Sequence, residues 1–374
     1  MKNLLLYLMI IVLFVACDKK TEISPSGKSV KLTVLASLSG KGDAYGMQGL
    51  EGFKAAKNMM PLLPNGDEIV FEIVDDASDI QKAKEAIELI DTNTSALITF
   101  SNSNIQLGIA DVTEKKKLPT LSSIATHDGF TKSSSYMSRL SMSNSIEAAV
   151  AASYIRDELL INRVGVIYRK NNIFSVSLAE SFKKEFESIS GDIARMISIS
   201  ELADIKESYQ SFMDRLDLDL IFFTTDAEFS YNFLKVFDEL DGSIRLFGSD
   251  GLLSDMKRHY PHKLHLLDGV LVIDHYADNM NKNANYIKLQ RYLKSKKIQM
   301  SSFAALGYES YLFIYNALKE CPNYSRECIN NNLRNSKPIN ALVSTMYTRD
   351  GDMQRPIYVN EIEDAKMLRR VKVY

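Results

Sequence analysis

The chain has 374 residues, of which 45% are hydrophobic and 25% charged, the composition of a soluble globular protein. Its length suits two domains, each large enough for its own core. A formal net charge of -2 gives no support for a nucleic-acid or other polyanionic partner.

Lys2 precedes twelve consecutive apolar residues, Leu4 to Val15, followed by Ala16-Cys17-Asp18-Lys19-Lys20. Twelve residues are too few to span a bilayer core as a helix but match the apolar core of a signal peptide. This start resembles a bacterial lipoprotein signal, which implies that residues 1–16 are removed and Cys17 is lipidated. Phe14 stands where that pattern usually carries Leu. A plain secretory signal cut near the same place is the alternative, and either one exports the mature chain. Residues 17–29 then form a lipid-anchored tether, polar and broken by Pro25 and Gly27.

Val30–Ser37 is predicted as a strand running into LSGKGDAYG, where Gly40, Gly42 and Gly46 open an amphipathic helix ending near Pro61. Their spacing, G-x-G-x-x-x-G, is one residue too long for a dinucleotide fingerprint, and the acidic pair Asp75-Asp76 lies too far on to meet a ribose. A glycine-permitted loop carrying Tyr45 over the strand ends is the simpler reading. Glu68–Asp75 is the second strand. Ser78-Asp79-Ile80-Gln81 then starts a helix with Ile80, Ala83, Ile87 and Ile90 at helical spacing. Neighbouring side chains on a strand point to opposite faces, so Asp75 and Asp76 are a poor acid–base pair, and one of them is expected to cap a helix.

Residues 96–127 organise the first half. Two apolar runs, Ala96–Phe100 and Leu118–Leu121, each give way to small hydroxyl and amide residues, with Ile105, Ile109 and Val112 at helical spacing between them. A right-handed βαβ crossover would bring both polar turns to the carboxyl-terminal edge of a parallel sheet. Ser101, Asn102, Ser103, Thr126 and free helix N–H groups would then face one crevice able to hold a small anionic group. Ordinary helix capping accounts for the same residue types.

A short strand at 136–140 precedes a second run of alternating elements. Helices are predicted at 145–160, 177–190, 203–215 and 228–240, and strands at 163–168, 193–199, 218–224 and 244–247. A tight GSDG follows at 248–251, then a strand at 269–274, helices near 284–297 and 301–318, and a β-rich end. Cys321 and Cys328 enclose six residues containing a helix-breaking Pro322. In an exported chain they are expected to pair as a local disulfide, two free thiols being the alternative. His259, His262 and His265 invite a metal, but Pro261 interrupts any helix and no acidic or thiol ligand stands at metal-site spacing. Neither a metal nor a cofactor is expected. Hydrolase, metalloprotease and P-loop motifs are lacking, so no enzyme activity is expected.

Taken together, VKLTVLASLSGKGDAYGMQGLEGF, FEIVDDASDIQKAKEAIELI, the central unit, NRVGVIYRKNNIFSVSLAESFKKEF, LFGSDG and DGVLVI resemble the type I periplasmic binding proteins, in particular the branched-chain amino-acid receptors of ABC transporters. The resemblance implies an α/β fold of two lobes, each a mostly parallel sheet flanked by helices, joined by a three-strand hinge that closes over a ligand. It places residues 30–145 and 272–344 in lobe 1, and 146–271 and 345–374 in lobe 2. By position, Asn102, Ala125 and Thr126 would hold an amino acid's carboxylate, Asp250 its ammonium, and Tyr45 and Phe174 would close over the side chain. Asp226 or Ala227 stands at a position where the family has tyrosine, and Ile124 narrows the side-chain pocket against a branched apolar group. Ser78 and Ser101 stand where some relatives have a cysteine pair. The implied function is a membrane-anchored, extracytoplasmic lipoprotein that delivers an amino acid or related small molecule to an ABC permease. The alternatives are a sensor acting on a signalling partner and a structural lipoprotein that binds nothing.

Overall fold

The computed structural model describes residues 23–213, 218–224, 226–240, 242–280 and 282–374. The apolar run at the N-terminus and Cys17 lie outside the described residues.

Five strands, β1 (Ser29–Ala36), β2 (Glu68–Asp75), β3 (Thr94–Phe100), β4 (Thr120–Ser122) and β5 (Met137–Arg139), form a parallel sheet in the order β2-β1-β3-β4-β5. Every residue of β3 is buried, as a strand covered on both faces by crossover helices requires. The chain then builds a second sheet from β6 (Arg163–Arg169), β7 (Asp192–Ile199), β8 (Leu220–Thr224), β9 (Arg245–Gly248) and β10 (Leu271–Asp274). It returns to the first lobe for the helices Ala284–Ser295, Ser302–Lys319 and Arg326–Arg334, and for a small antiparallel sheet of β11 (Ile339–Asn340), β12 (Thr345–Arg349) and β13 (Asp352–Gln354). It ends in the second lobe with β14 (Tyr358–Glu363) and β15 (Met367–Val373), which complete the order β15-β14-β10-β9-β8-β6-β7.

These pairings move two of the expected lobe boundaries. Residues 272–274 stay with the second lobe, because β10 pairs with β9 and β14. Residues 345–354 belong with the first, because the Arg139 N–H donates to the Gly351 carbonyl and the Arg139 guanidinium grips Asp352 at 2.6 Å. The helix Arg326–Arg334 was not expected from the sequence. Its N-cap Ser325 accepts from the Cys328 N–H, and Cys321 and Cys328 are joined by a disulfide with Cα atoms 5.9 Å apart.

The first lobe is held by a close helix crossing. A Cβ on Gly52 would come within 1.9 Å of the Ala304 carbonyl oxygen, and one on Gly307 within 1.9 Å of that of Gly49. Only glycine lets the helices Asp43–Met59 and Ser302–Lys319 approach so far. Beside the crossing, Phe53 is fully buried and meets the edges of Phe71, Phe100 and Tyr311. Burying such a ring contributes about 1.5–3 kcal/mol.

Three irregular stretches of the described residues cross between the lobes, at 140–143, at 275–280 with 282–283, and at 355–357. One side chain ties them together. Arg355, on the third crossing, donates to the Leu140 carbonyl of the first (3.2 Å) and the His275 carbonyl of the second (3.0 Å). It also pairs with Glu309 at 3.1 Å, both side chains being almost wholly buried. The Met142 N–H donates to His275 Nε2 at 2.9 Å. That nitrogen is therefore an acceptor, and the ring proton of the neutral imidazole sits on Nδ1.

Candidate functional site

In each sheet the strand order reverses once, beside β1 in the first and beside β6 in the second. Side chains and helix N-termini gather at the carboxyl ends of strands at such points. Here the two crevices meet across one cavity. The cavity volume is about 110 Å³. From the first lobe come Tyr45 after β1, Asn102, Ser103 and Asn104 after β3, Ile124 and Thr126 after β4, and Phe303. From the second come Asn172 and Phe174 after β6, Asp226 after β8, and Asp250, Gly251 and Asp255 after β9.

The first-lobe wall is neutral. Asn102 caps the helix Ser103–Gly108 by accepting from the Ile105 N–H at 3.2 Å, which leaves its amide nitrogen to donate elsewhere. Ser103 Oγ accepts from the N–H groups of Thr126 and His127, both at 3.3 Å. The Tyr45 ring meets the Phe303 ring edge-on at 5.5 Å, and burial raises the Tyr45 hydroxyl pKa, with Asp255 adding to it. Ala125 does not line the cavity, contrary to expectation. It is fully buried, its N–H donates to Ser122 Oγ at 3.2 Å, and its carbonyl accepts from Ser141 at 2.6 Å. Ser101 also turns away from the crevice and donates to Asp76.

Asp75 and Asp76 do not cap the following helix. Asp79 does, accepting from the Lys82 N–H. Asp76 instead gathers the hydroxyls of Ser37 and Ser101 and the Ser78 N–H, while Asp75 holds the Leu38 and Ala77 N–H groups and the Ser39 hydroxyl. Together they brace the loop that presents Tyr45.

The second-lobe wall carries three carboxylates, and among the described residues no Lys or Arg lines the cavity. Asp226 is compensated: Oδ1 caps the helix Ala227–Glu239 and Oδ2 pairs with Arg169. Asp250 is not a helix cap. Gly251, at φ +72°, takes the cap position of the helix Leu252–His259 without any side-chain bond. The Asp250 N–H donates to Glu147 Oε1 at 3.0 Å, and its Oδ2 lies 3.9 Å from His275 Nδ1. Burial pushes the Asp250 carboxyl up to about 8, with Asp274 adding to the shift. Asp255 is likewise pushed to about 8 by burial, then by Asp226, Asp250 and Asp43. Its Oδ1 is buried without a hydrogen-bond partner among the described residues. Burial also raises Glu147 and Asp274, and lowers His275, which keeps that ring neutral.

Asp255, Phe303, Asn172 and Asn104 were not singled out by the sequence. His259 pairs with Asp43 at 3.3 Å beside an Arg258–Asp43 pair at 2.7 Å, a link between the lobes at the rim.

A sequence profile of the family described as periplasmic binding protein matches residues 29–366. A search among curated proteins returned no match. Among solved structures, the chain is similar to a leucine binding protein from Thermotoga maritima (21% identity, TM-score 0.82, covering 92% of this chain and 98% of that one). It is also similar to a branched-chain amino-acid transporter substrate binding protein from Streptococcus pneumoniae in complex with isoleucine (19%, 0.81, 92% and 100%). A third is a solute binding protein of an ABC transporter from Rhodopseudomonas palustris in complex with 4-hydroxybenzoate (16%, 0.81, 93% and 97%).

Proposed function

The chain belongs to the periplasmic binding protein family, and on that premise we propose that it is an exported solute receptor, lipid-anchored through Cys17, that delivers an amino acid to an ABC permease. The observation that carries this reading is the division of chemistry across the cavity. Neutral hydrogen-bonding groups at Asn102, Ser103 and Thr126 face carboxylates at Asp250 and Asp255. A zwitterion matches that division when its carboxylate lies on the first lobe and its ammonium at Asp250. An aromatic acid such as 4-hydroxybenzoate, bound by one structural neighbour, would bring no cation to the three carboxylates of the second-lobe wall, where no Lys or Arg of the described residues lines the cavity. The aromatic side chains Tyr45, Phe174 and Phe303 enclose the rest of the solute. Catalysis has no part in this reading, since a receptor returns its solute unchanged.

The test is a thermal-unfolding screen of the full-length chain in detergent against amino acids and small aromatic acids. A solute at a hundredfold its Kd should stabilise the fold by about 2.7 kcal/mol. Stabilisation by an aromatic acid and by no amino acid would overturn the proposal.

A further inference from the structure

Charge counting across the cavity goes further than the amino-acid reading on which it rests. Of the three lining carboxylates, Asp226 is matched by Arg169, and Asp250 is assigned to the α-ammonium. Asp255 is left over. It lies one turn into the helix Leu252–His259, its Oδ1 buried without a partner among the described residues, facing the same cavity as Tyr45 and Phe303. A carboxylate withdrawn from water without a counter-charge is unfavourable unless something brings one. Arg258 and His259, on the same helix, are engaged with Asp43. We propose that the counter-charge comes with the solute, which is an amino acid carrying a second cationic group on a short unbranched side chain, held at Asp255.

Two features agree with that assignment. Aromatic faces attract cations, and Tyr45, Phe174 and Phe303 line the cavity. Ile124 stands in the cavity wall, narrowing the space in favour of a straight chain. A leucine-like side chain would instead leave the buried Asp255 carboxyl without a counter-charge.

Titration calorimetry on the full-length chain in detergent tests this with two matched pairs, ornithine against norvaline and lysine against norleucine. Within each pair the carbon chain is the same and only the terminal amine differs. At least one cationic member should bind about thirtyfold or more tighter than its neutral partner. Asp255→Asn should abolish that preference while leaving the neutral partner within about threefold, because Asn keeps the side chain's size. Equal binding within both pairs would overturn the inference and leave the proposed function standing. An equal loss for both members in Asp255→Asn would do the same, since it would mean that one ammonium bridges Asp250 and Asp255. Failure of all four amino acids to bind would overturn the inference, while the proposed function would still stand or fall on the wider screen of amino acids and aromatic acids.

Discussion

The wall that the first lobe gives to the cavity is neutral, a set of short side chains at strand ends, with hydrogen bonds already spent on their own loops. The wall from the second lobe is acidic, and among the described residues two of its carboxylates, Asp250 and Asp255, have no cation beside them. Both walls come from the same local construction, a parallel strand followed by a turn and a helix start. The difference lies in what the turns are used for. On the first lobe, Asn102 and Ser103 serve the backbone and the cavity at once, so each can offer a solute only what capping leaves over. On the second, Gly251 takes the cap position and frees Asp250 from it. Relieving a side chain of structural duty lets its charge be kept for a ligand.

Removing charge from the acidic wall should therefore cost most. Asp250→Asn is expected to weaken amino-acid binding by about 2–5 kcal/mol, at least about thirtyfold, as calorimetry would show. Its ligand-free stability should not fall, because the cap is Gly251 and the bond to Glu147 uses the Asp250 backbone N–H. A loss of apo stability above about 1 kcal/mol in urea melts would return Asp250 to a structural role.

Next in size is pH. Glu147, Asp274 and the neutral His275 face Asp250, while Asp226, Asp43 and Tyr45 face Asp255, and Arg169 and Arg258 are taken by Asp226 and Asp43. With folded values near 8 and ordinary values near 4, both groups hold protons in the folded state that the unfolded chain has lost. Apo stability should thus fall as pH rises from about 4 to about 8. A cationic solute binds the ionised carboxyls, so affinity should rise over the upper part of that range, by up to about tenfold per pH unit for each proton released. Calorimetry in buffers of different ionisation enthalpy counts those protons. Binding that neither releases protons nor strengthens towards pH 8 would place the solute away from the acidic wall.

Smallest is the neutral wall. Asn102→Ala should weaken binding by only about 0.5–1.5 kcal/mol, the worth of an ordinary hydrogen bond. It should also lower apo stability by about 1 kcal/mol through the lost cap. A loss of affinity as large as that of Asp250→Asn would erase the contrast between the walls.

The strands and their turns were legible because β1, β3 and β8 are apolar runs that end in small polar residues. Asn102, Thr126, Asp226 and Asp250 stand in turns after strands, Tyr45 and Phe174 in the first turn of the helices after β1 and β6, and all six line the cavity. Asp255 was not legible. A helix face turned to a polar cleft has the same residue pattern as one turned to water, and in LLSDMKRH the aspartate looks solvated. Phe303 begins a helix whose apolar stripe reads as core, and most of that helix is core. Ala125 failed for the opposite reason: its position in sequence was right, but Ser122 and Ser141 claim its peptide groups. The Arg355–Glu309 pair joins residues 46 apart and leaves no local periodicity to find.

That pair bears on how the two lobes can move. One guanidinium on the third crossing grips carbonyls of the other two, so sliding any crossing past its neighbours would break a buried hydrogen bond, whereas rotation about the point where they meet would not. The mechanical degrees of freedom between the lobes are thereby reduced towards a single torsion. A partner touching the outer surface of both lobes would then sense one variable, an angle, whichever solute had set it.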